Sequence, residues 1–244
     1  MAEIKLFSRN GELLSIDDSL HHKILELLHS GDMTFKELHT SVDRAKSTLN
    51  LKLGELVSRG LIAETVHPKD KRVKVYNLLA RHVGSNTKGT PEMFQQHIAK
   101  LDKHVDNPFE FVNAMFRSVW YLLDSFGVDS AQMLSIMGEE VGKQVARRVK
   151  SSSQKELMNE LSDLYKQHKL GYIKIVNESP LTIHLFDCYQ CGNLKEFDRK
   201  LCVFDKALLK TIFSEKLGKE HVVHEHKCAN EGETYCVYEL GGLK

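Results

Sequence analysis

All five cysteines of the chain lie between Cys188 and Cys236, and nothing before them is a cysteine. Three of them, Cys202, Cys228 and Cys236, share a region with His221, His224, Glu225 and His226. Thiolates and imidazoles suit zinc, and four such donors close a structural tetrahedral site. The spacing sets a condition on which donors can meet. Side chains alternate along a regular strand, so Glu225 and Cys228 point to opposite faces, whereas His226 shares a face with Cys228. Either His226 completes the set, or the strand ends or bends before Cys228. The turn-forming run Ala229-Asn230-Glu231-Gly232 allows a bend. The remaining two cysteines stand in Cys188-Tyr189-Gln190-Cys191. A pair at that spacing forms a strained, reversible disulfide or adds ligands to a metal site. An odd count gathered at one end argues for local metal or thiol chemistry rather than a secreted disulfide framework.

A second group of residues is basic. Between Asp43 and Tyr76, eight Lys or Arg residues face four Asp or Glu, while the whole chain of 244 residues is close to neutral, with 34 basic and 33 acidic residues. The positive surface is therefore local. Arg44, Lys46, Ser47, Asn50 and Lys52 fall on one side of an expected helix, towards its start, where a recognition helix meets base edges and phosphates. Lys69, Lys71 and Arg72 fall at the tip of an expected two-stranded ribbon and suit phosphates.

These residues need elements to carry them. Asn10-Gly11 between two apolar runs predicts a hairpin over residues 4–16. Asp17, Asp18 or Ser19 then caps a helix through Leu28, and Thr34 with Glu37 has capping-box spacing for a short second helix. A third helix runs from about Arg44 to Arg59, with Leu49, Leu53, Leu56 and Val57 as its buried face. Two strand-like runs follow around His67–Lys71. Residues 81–92 are polar and glycine-containing and read as a loose connection. Four helices are expected near 91–104, 108–126, 129–150 and 154–169, then a hairpin at 172–186, a helix near 205–217 and strands near 221–227 and 235–240. The stripe Phe109, Phe111, Met115, Phe116, Val119, Trp120 and Leu123 reads mostly as core, part of which can line an apolar ligand pocket. Gly138 and Gly142, four apart, permit close helix approach. No apolar run reaches the length of a membrane helix, and the N-terminus lacks a secretory pattern, so a cytoplasmic protein is expected.

Helix, short helix, longer helix and ribbon is the order of a winged helix-turn-helix. The segment SVDRAKSTLNLKLGELVSRGLI (41–62) resembles the helix-turn-helix of ArsR-like regulators, and the resemblance covers residues 17–80. It implies that Ser47, Asn50 and Lys52 face DNA. Residues 107–240 resemble a 4-vinyl-reductase-type ligand-binding domain, through Cys202-Val-Phe, Gly218 and the closing string VHEHKCANEGETYCVYEL (223–240). In phenol-sensing bacterial activators that domain holds zinc with a Cys, a Glu and two further Cys. The resemblance therefore implies Cys202, Glu225, Cys228 and Cys236 as the ligands of a structural Zn2+, with His226 in reserve. As a whole the chain is similar to methanogen-specific redox regulators, which implies a thiol switch at Cys188 and Cys191.

The expectation is an α+β protein: a winged-helix DNA-binding domain over 1–82, a linker or connecting helix over 83–106, and a sensor domain over 107–244. Its function would be that of a non-enzymatic transcription regulator, a homodimer on double-stranded DNA, responding to thiol oxidation or to a small apolar ligand. The competing expectation is a reductase-like enzyme domain with an accessory winged helix.

Overall fold

The computed structural model describes residues 2–188, 202–229 and 234–242. The chain is α+β and divides into two units, one made of residues up to Ile98 with Val119–Ser130, the other of Ala99–Ser118 with the rest of the chain from Ala131. This differs from the sequence expectation, in which one boundary near 82 and another near 106 separate consecutive domains.

The first unit opens with a hairpin of β1 (Lys5–Arg9) and β2 (Glu12–Ile16). Asn10 at φ 50° and Gly11 at φ 83° make its turn, both in the left-handed region that suits a two-residue hairpin. Helix α1 (Ser19–His29) starts where the Asp18 carboxylate accepts from the N–H groups of Leu20 and His21 at 3.0 and 2.9 Å. After the short β3 (Met33–Thr34), α2 (Phe35–Ser41) carries the full capping box. Thr34 Oγ1 accepts from the Glu37 N–H, and the Glu37 carboxylate accepts from the Thr34 N–H at 2.7 Å. Helix α3 (Lys46–Ser58) buries Leu49, Leu53 and Leu56, whereas Val57, expected beside them, is 36% exposed. Strands β4 (Ile62–His67) and β5 (Asp70–Leu78) form an antiparallel ribbon to which β3 adds a third strand. Ile24, Leu25, Leu28, Leu38, Leu61, Ile62 and Tyr76 close the core beneath these elements.

Residues 81–92, expected to be a loose connection, instead begin with strand β6 (Arg81–Asn86), which pairs with β1 through Phe7↔His82 and Lys5↔Ser85. Its polar side chains hide it from hydrophobic-pattern reading, because the ladder of main-chain bonds, not apolar alternation, specifies it. Helix α4 (Pro91–Ile98) follows. The two-residue β7 (Val128–Asp129) completes a sheet in the order β2-β1-β6-β7.

Helix α5 (Pro108–Ser125) gives its first part to the second unit and its last part to the first. The second unit continues with α6 (Ala131–Arg148) and α7 (Gln154–Gln167). Strands β8 (Tyr172–Glu178) and β9 (Leu181–Phe186) form a hairpin, after which come α8 (Val203–Leu217), β10 (His221–Lys227) and β11 (Tyr235–Gly242). The sheet is antiparallel in the order β10-β11-β9-β8. Alternation is clean: Leu181, Ile183 and Leu185 of β9 and Cys236, Tyr238 and Leu240 of β11 are buried, while the residues between them are half-buried. Helix α8 packs against β10 and against α6. The approach to α6 depends on its glycines. A Cβ on Gly138 would sit 2.4 Å from the Phe204 carbonyl oxygen, and one on Gly142 would sit 2.9 Å from that of Leu208. These contacts fix the helix whose N-terminal end carries Cys202.

Candidate metal centre and basic face

Three segments deliver the donors. Cys202 sits at the N-cap position of α8, where the first N–H groups of the helix favour a negative ligand. Gly218 at φ 65° ends the same helix. His221 N–H then donates to Ser214 Oγ at 3.0 Å, which starts β10 close to the helix end. Cys236 faces inward from β11, opposite Leu185 of β9.

The strand between them settles the alternation problem. Through Glu225↔Tyr238 the register of β10 on β11 is regular, but the next pair is Lys227↔Val237, so the strand carries an extra residue at His226. Such a bulge shifts the phase of the strand by one. Glu225 therefore points inward and is half-buried, His226 is exposed with Nε2 3.2 Å from Glu239 Oε2, and Cys228 returns to the inside, fully buried. His224 is exposed, and His221, though buried, turns its Nδ1 to the Lys219 carbonyl at 2.9 Å. Of the candidate ligands, the structure gathers Cys202, Glu225, Cys228 and Cys236, one donor atom of each lying within 4.8 Å of the others.

The donor set fits a zinc ion. Sulfurs bound tetrahedrally at about 2.3 Å stand about 3.8 Å apart. Cys202 Sγ lies 3.4 Å from Cys228 Sγ and 4.0 Å from Cys236 Sγ. Both Glu225 carboxylate oxygens are buried without a hydrogen-bond partner among the described residues. Burial pushes this carboxyl up to about 7, the expected cost of holding a carboxylate in that place without a cation. The Ala229 N–H donates to Cys236 Sγ at 3.4 Å, the kind of surrounding hydrogen bond that steadies a metal thiolate.

Behind this cluster lies a polar group that the sequence reading missed. Asp205, in the first turn of α8, is wholly buried; its Oδ1 accepts from Tyr165 Oη at 2.9 Å and its Oδ2 from the Cys188 thiol at 3.9 Å. Burial raises its carboxyl to about 6 against those two hydrogen bonds. Tyr238 is also fully buried, its hydroxyl without a partner among the described residues. Burial, and then the neighbouring Cys202 and Asp205, hold that phenol well above its ordinary value. The one signal available in sequence was a lone acid in the otherwise apolar start of the helix, Val203-Phe204-Asp205. Cys188 is thus a buried donor to Asp205, and Cys191 lies outside the described residues.

In the first unit, Arg44, Lys46, Ser47 and Asn50 are exposed at the start of α3, as are Lys69, Lys71 and Arg72 near the turn of the β4–β5 ribbon. Arg72 is 91% exposed and holds Asp70 with Nε at 3.2 Å, which keeps the Asp70 carboxyl below its usual value. Lys52 is placed differently. Its ammonium lies 3.0 Å from Asp18 Oδ2 and 2.9 Å from Glu55 Oε2, tying α3 to the cap of α1. His21, buried on α1, joins the same group with Nε2 3.0 Å from Glu55.

Residues 181–241, which contain Cys202, Glu225, Cys228 and Cys236, match the family model of the vinyl-4-reductase domain. The protein MJ1642 of Methanocaldococcus jannaschii is 28% identical over 114 residues, 47% of this chain and 66% of that protein. The chain spans 59 to 66% of the length of the curated relatives it matches. Among solved structures, a vinyl-4-reductase family protein from the same organism aligns with a TM-score of 0.35 and 21% identity, over 46% of this chain and 68% of that one. The phenol-responsive sensory domain of the transcription activator PoxR aligns with a TM-score of 0.39 and 13% identity, over 80% of this chain and 90% of that one. Among the described residues, no helix is long and apolar enough to cross a membrane.

Proposed function

We propose that this chain is a transcription regulator, with a winged helix in its first unit that binds double-stranded DNA and a sensor in its second. The observation that carries the reading is the exposed cluster Arg44, Lys46, Ser47 and Asn50 on α3 together with Lys69, Lys71 and Arg72 on the β4–β5 ribbon. A helix start bearing short and long donors suits base edges in a major groove, and a basic ribbon tip suits the adjoining phosphates. In this reading two copies bind together, because paired half-sites call for two-fold symmetry.

Cys202, Glu225, Cys228 and Cys236 hold a structural zinc ion in this reading, which supplies a cross-link between the start of α8 and strands β10 and β11. Four protein donors complete its shell and leave no position for substrate, so the protein acts as a regulator rather than an enzyme. The signal is a small apolar ligand or oxidation at Cys188 and Cys191. Either works by binding or forming more favourably in one of two states of the protein. The burial of Cys188 against Asp205 supports the ligand as the primary signal, since an oxidant has to reach a covered sulfur.

The test is a mobility-shift assay with the full chain on a pool of genomic promoter fragments at stepped salt concentrations. Binding should weaken steeply with salt, and Lys71→Ala should weaken it on every fragment alike. Absence of retention at low salt overturns the DNA-binding reading. Equal retention before and after mild oxidation, with an apolar ligand still acting, removes the thiol signal alone.

A further inference from the structure

We propose that the outward stripe of α5 is the surface on which two copies of this chain pair. The inference rests on the two-fold reading above and assigns it a place. From residue 111 to residue 126 the only exposed side chains are Val112, Met115, Val119, Leu122 and Phe126, and all five are large and apolar. Their exposures are 59, 46, 50, 37 and 75%. The Phe126 N–H still donates to the Leu122 carbonyl at 3.2 Å, which carries the helical path to the last of the five.

The sequence expectation placed much of this helix's apolar surface in a core. The packing explains the reversal. The inward side of α5 holds Ala114, Tyr121 and Asp124, each at most 4% exposed. Tyr121 stacks on His97 with ring centroids 4.4 Å apart, and Thr90 Oγ1 donates to the Asp124 carboxylate. The polar and aromatic anchors thus lie inside, and α5 cannot roll to bury its stripe without breaking them.

Two features select a copy of the chain as the occupant. The five residues are spaced 3, 4, 3 and 4 apart, the repeat by which one helix seats its side chains between those of another. Valine at 112 and 119 alternates with Met115 and Leu122, the order of branched and unbranched side chains that favours two strands. The positions flanking the stripe, Phe116, Ser118, Leu123 and Ser125, carry no charge, and the only charged residues in this stretch, Arg117 and Asp124, lie on the other side of the helix. A helix meant for a different partner selects it through flanking charges. An uncharged border leaves nothing to repel an identical helix and nothing to prefer another.

Sedimentation or light scattering of the full chain at micromolar concentration, with and without substitutions, tests the assignment. The wild type should be a dimer. Val119→Glu sets two like charges against each other at the centre of the seam and should weaken association on the order of a hundredfold or more, leaving a monomer with an unchanged circular dichroism spectrum. Val119→Ala, which adds no charge, should weaken it by roughly tenfold. Leu13→Glu, at a position 64% exposed on β2, should leave the dimer intact. A folded Val119→Glu chain that stays dimeric overturns the interface while leaving the two-fold reading standing. A monomeric wild type overturns both, and then the stripe belongs to a different protein or to another surface. DNA retention is scored separately in the mobility-shift assay, so a failure of DNA binding does not mimic either result.

Discussion

A methyl group added at Gly138 should weaken zinc binding at a centre it never touches. The Cβ of Gly138→Ala would lie 2.4 Å from the Phe204 carbonyl oxygen and 3.0 Å from Ala207 Cβ. Ordinary carbon–oxygen contacts begin at about 3.3 Å, so the start of α8 must withdraw by roughly 0.9 Å. Phe204 is two residues beyond Cys202, and the displacement passes directly to that ligand. Metal–ligand distances tolerate only about 0.2 Å, so the metal-bound form cannot absorb the shift while the metal-free form can. Overpacking of this size costs about 1–3 kcal/mol. If most of it appears as the difference between bound and free forms, zinc affinity falls by roughly tenfold to a hundredfold. The gain of about 1 kcal/mol from replacing a helical glycine by alanine is common to both forms and does not offset the loss of affinity. Gly142→Ala provides the internal comparison. Its Cβ would meet Leu208 O and Thr211 Cβ at 2.9 Å, a smaller intrusion one turn further from Cys202, and a few-fold effect is expected. Competition against a coloured chelator measures both. Undiminished zinc affinity in folded Gly138→Ala, or a larger loss in Gly142→Ala, would refute the argument that the α6 glycines position this ligand.

Further expectations separate the roles of neighbouring residues. His226→Ala should leave zinc content unchanged, because the ring is exposed and paired to Glu239, whereas Cys228→Ser and Glu225→Ala should each lower it, as read by metal analysis of purified protein. Lys52→Ala should lower the thermal midpoint of the first unit through its lost contacts to Asp18 and Glu55, while Arg44→Ala should act on DNA retention and leave the midpoint in place. Thr34→Ala removes the capping box and should cost about 1 kcal/mol of stability in denaturant titration. Burial lowers the His21 imidazole below 6.5 in spite of Asp18 and Glu55. The unfolded chain therefore takes up the proton first as pH falls, so this stabilisation is complete above pH 6.5 and is lost below it. Thermal melts across that range should show the loss in the wild type and a flatter profile in His21→Gln.

Local signals carried far in this chain. The Asn10-Gly11 turn, the Thr34–Glu37 box and the 4-and-3 spacing of Leu49, Leu53 and Leu56 each act within a few residues, and each stands where the pattern places it. What could not be read locally was set by partners distant in sequence. Strand β6 exists because β1 supplies its ladder, and Lys52 turns from the expected DNA face because Asp18 and Glu55 reach it first. Whether Glu225 or His226 points inward depends on a bulge whose register is measured against β11, so alternation within β10 alone could not decide it. The outward stripe of α5 has the periodicity of a core helix; only the anchoring of Tyr121 and Asp124 reveals which side faces in.

The bulge at His226 also bears on how the molecule behaves in a crowded solution. Strand β10 is an edge of its sheet, and a straight edge of seven residues would offer a row of free main-chain donors and acceptors to any passing strand. The extra residue kinks that row and brings His226 and Lys227, both exposed, into it. One inserted residue thus aims a carboxylate inward and blunts an adhesive margin. Shortening β10 to restore a regular ladder would endanger solubility as well as the metal centre.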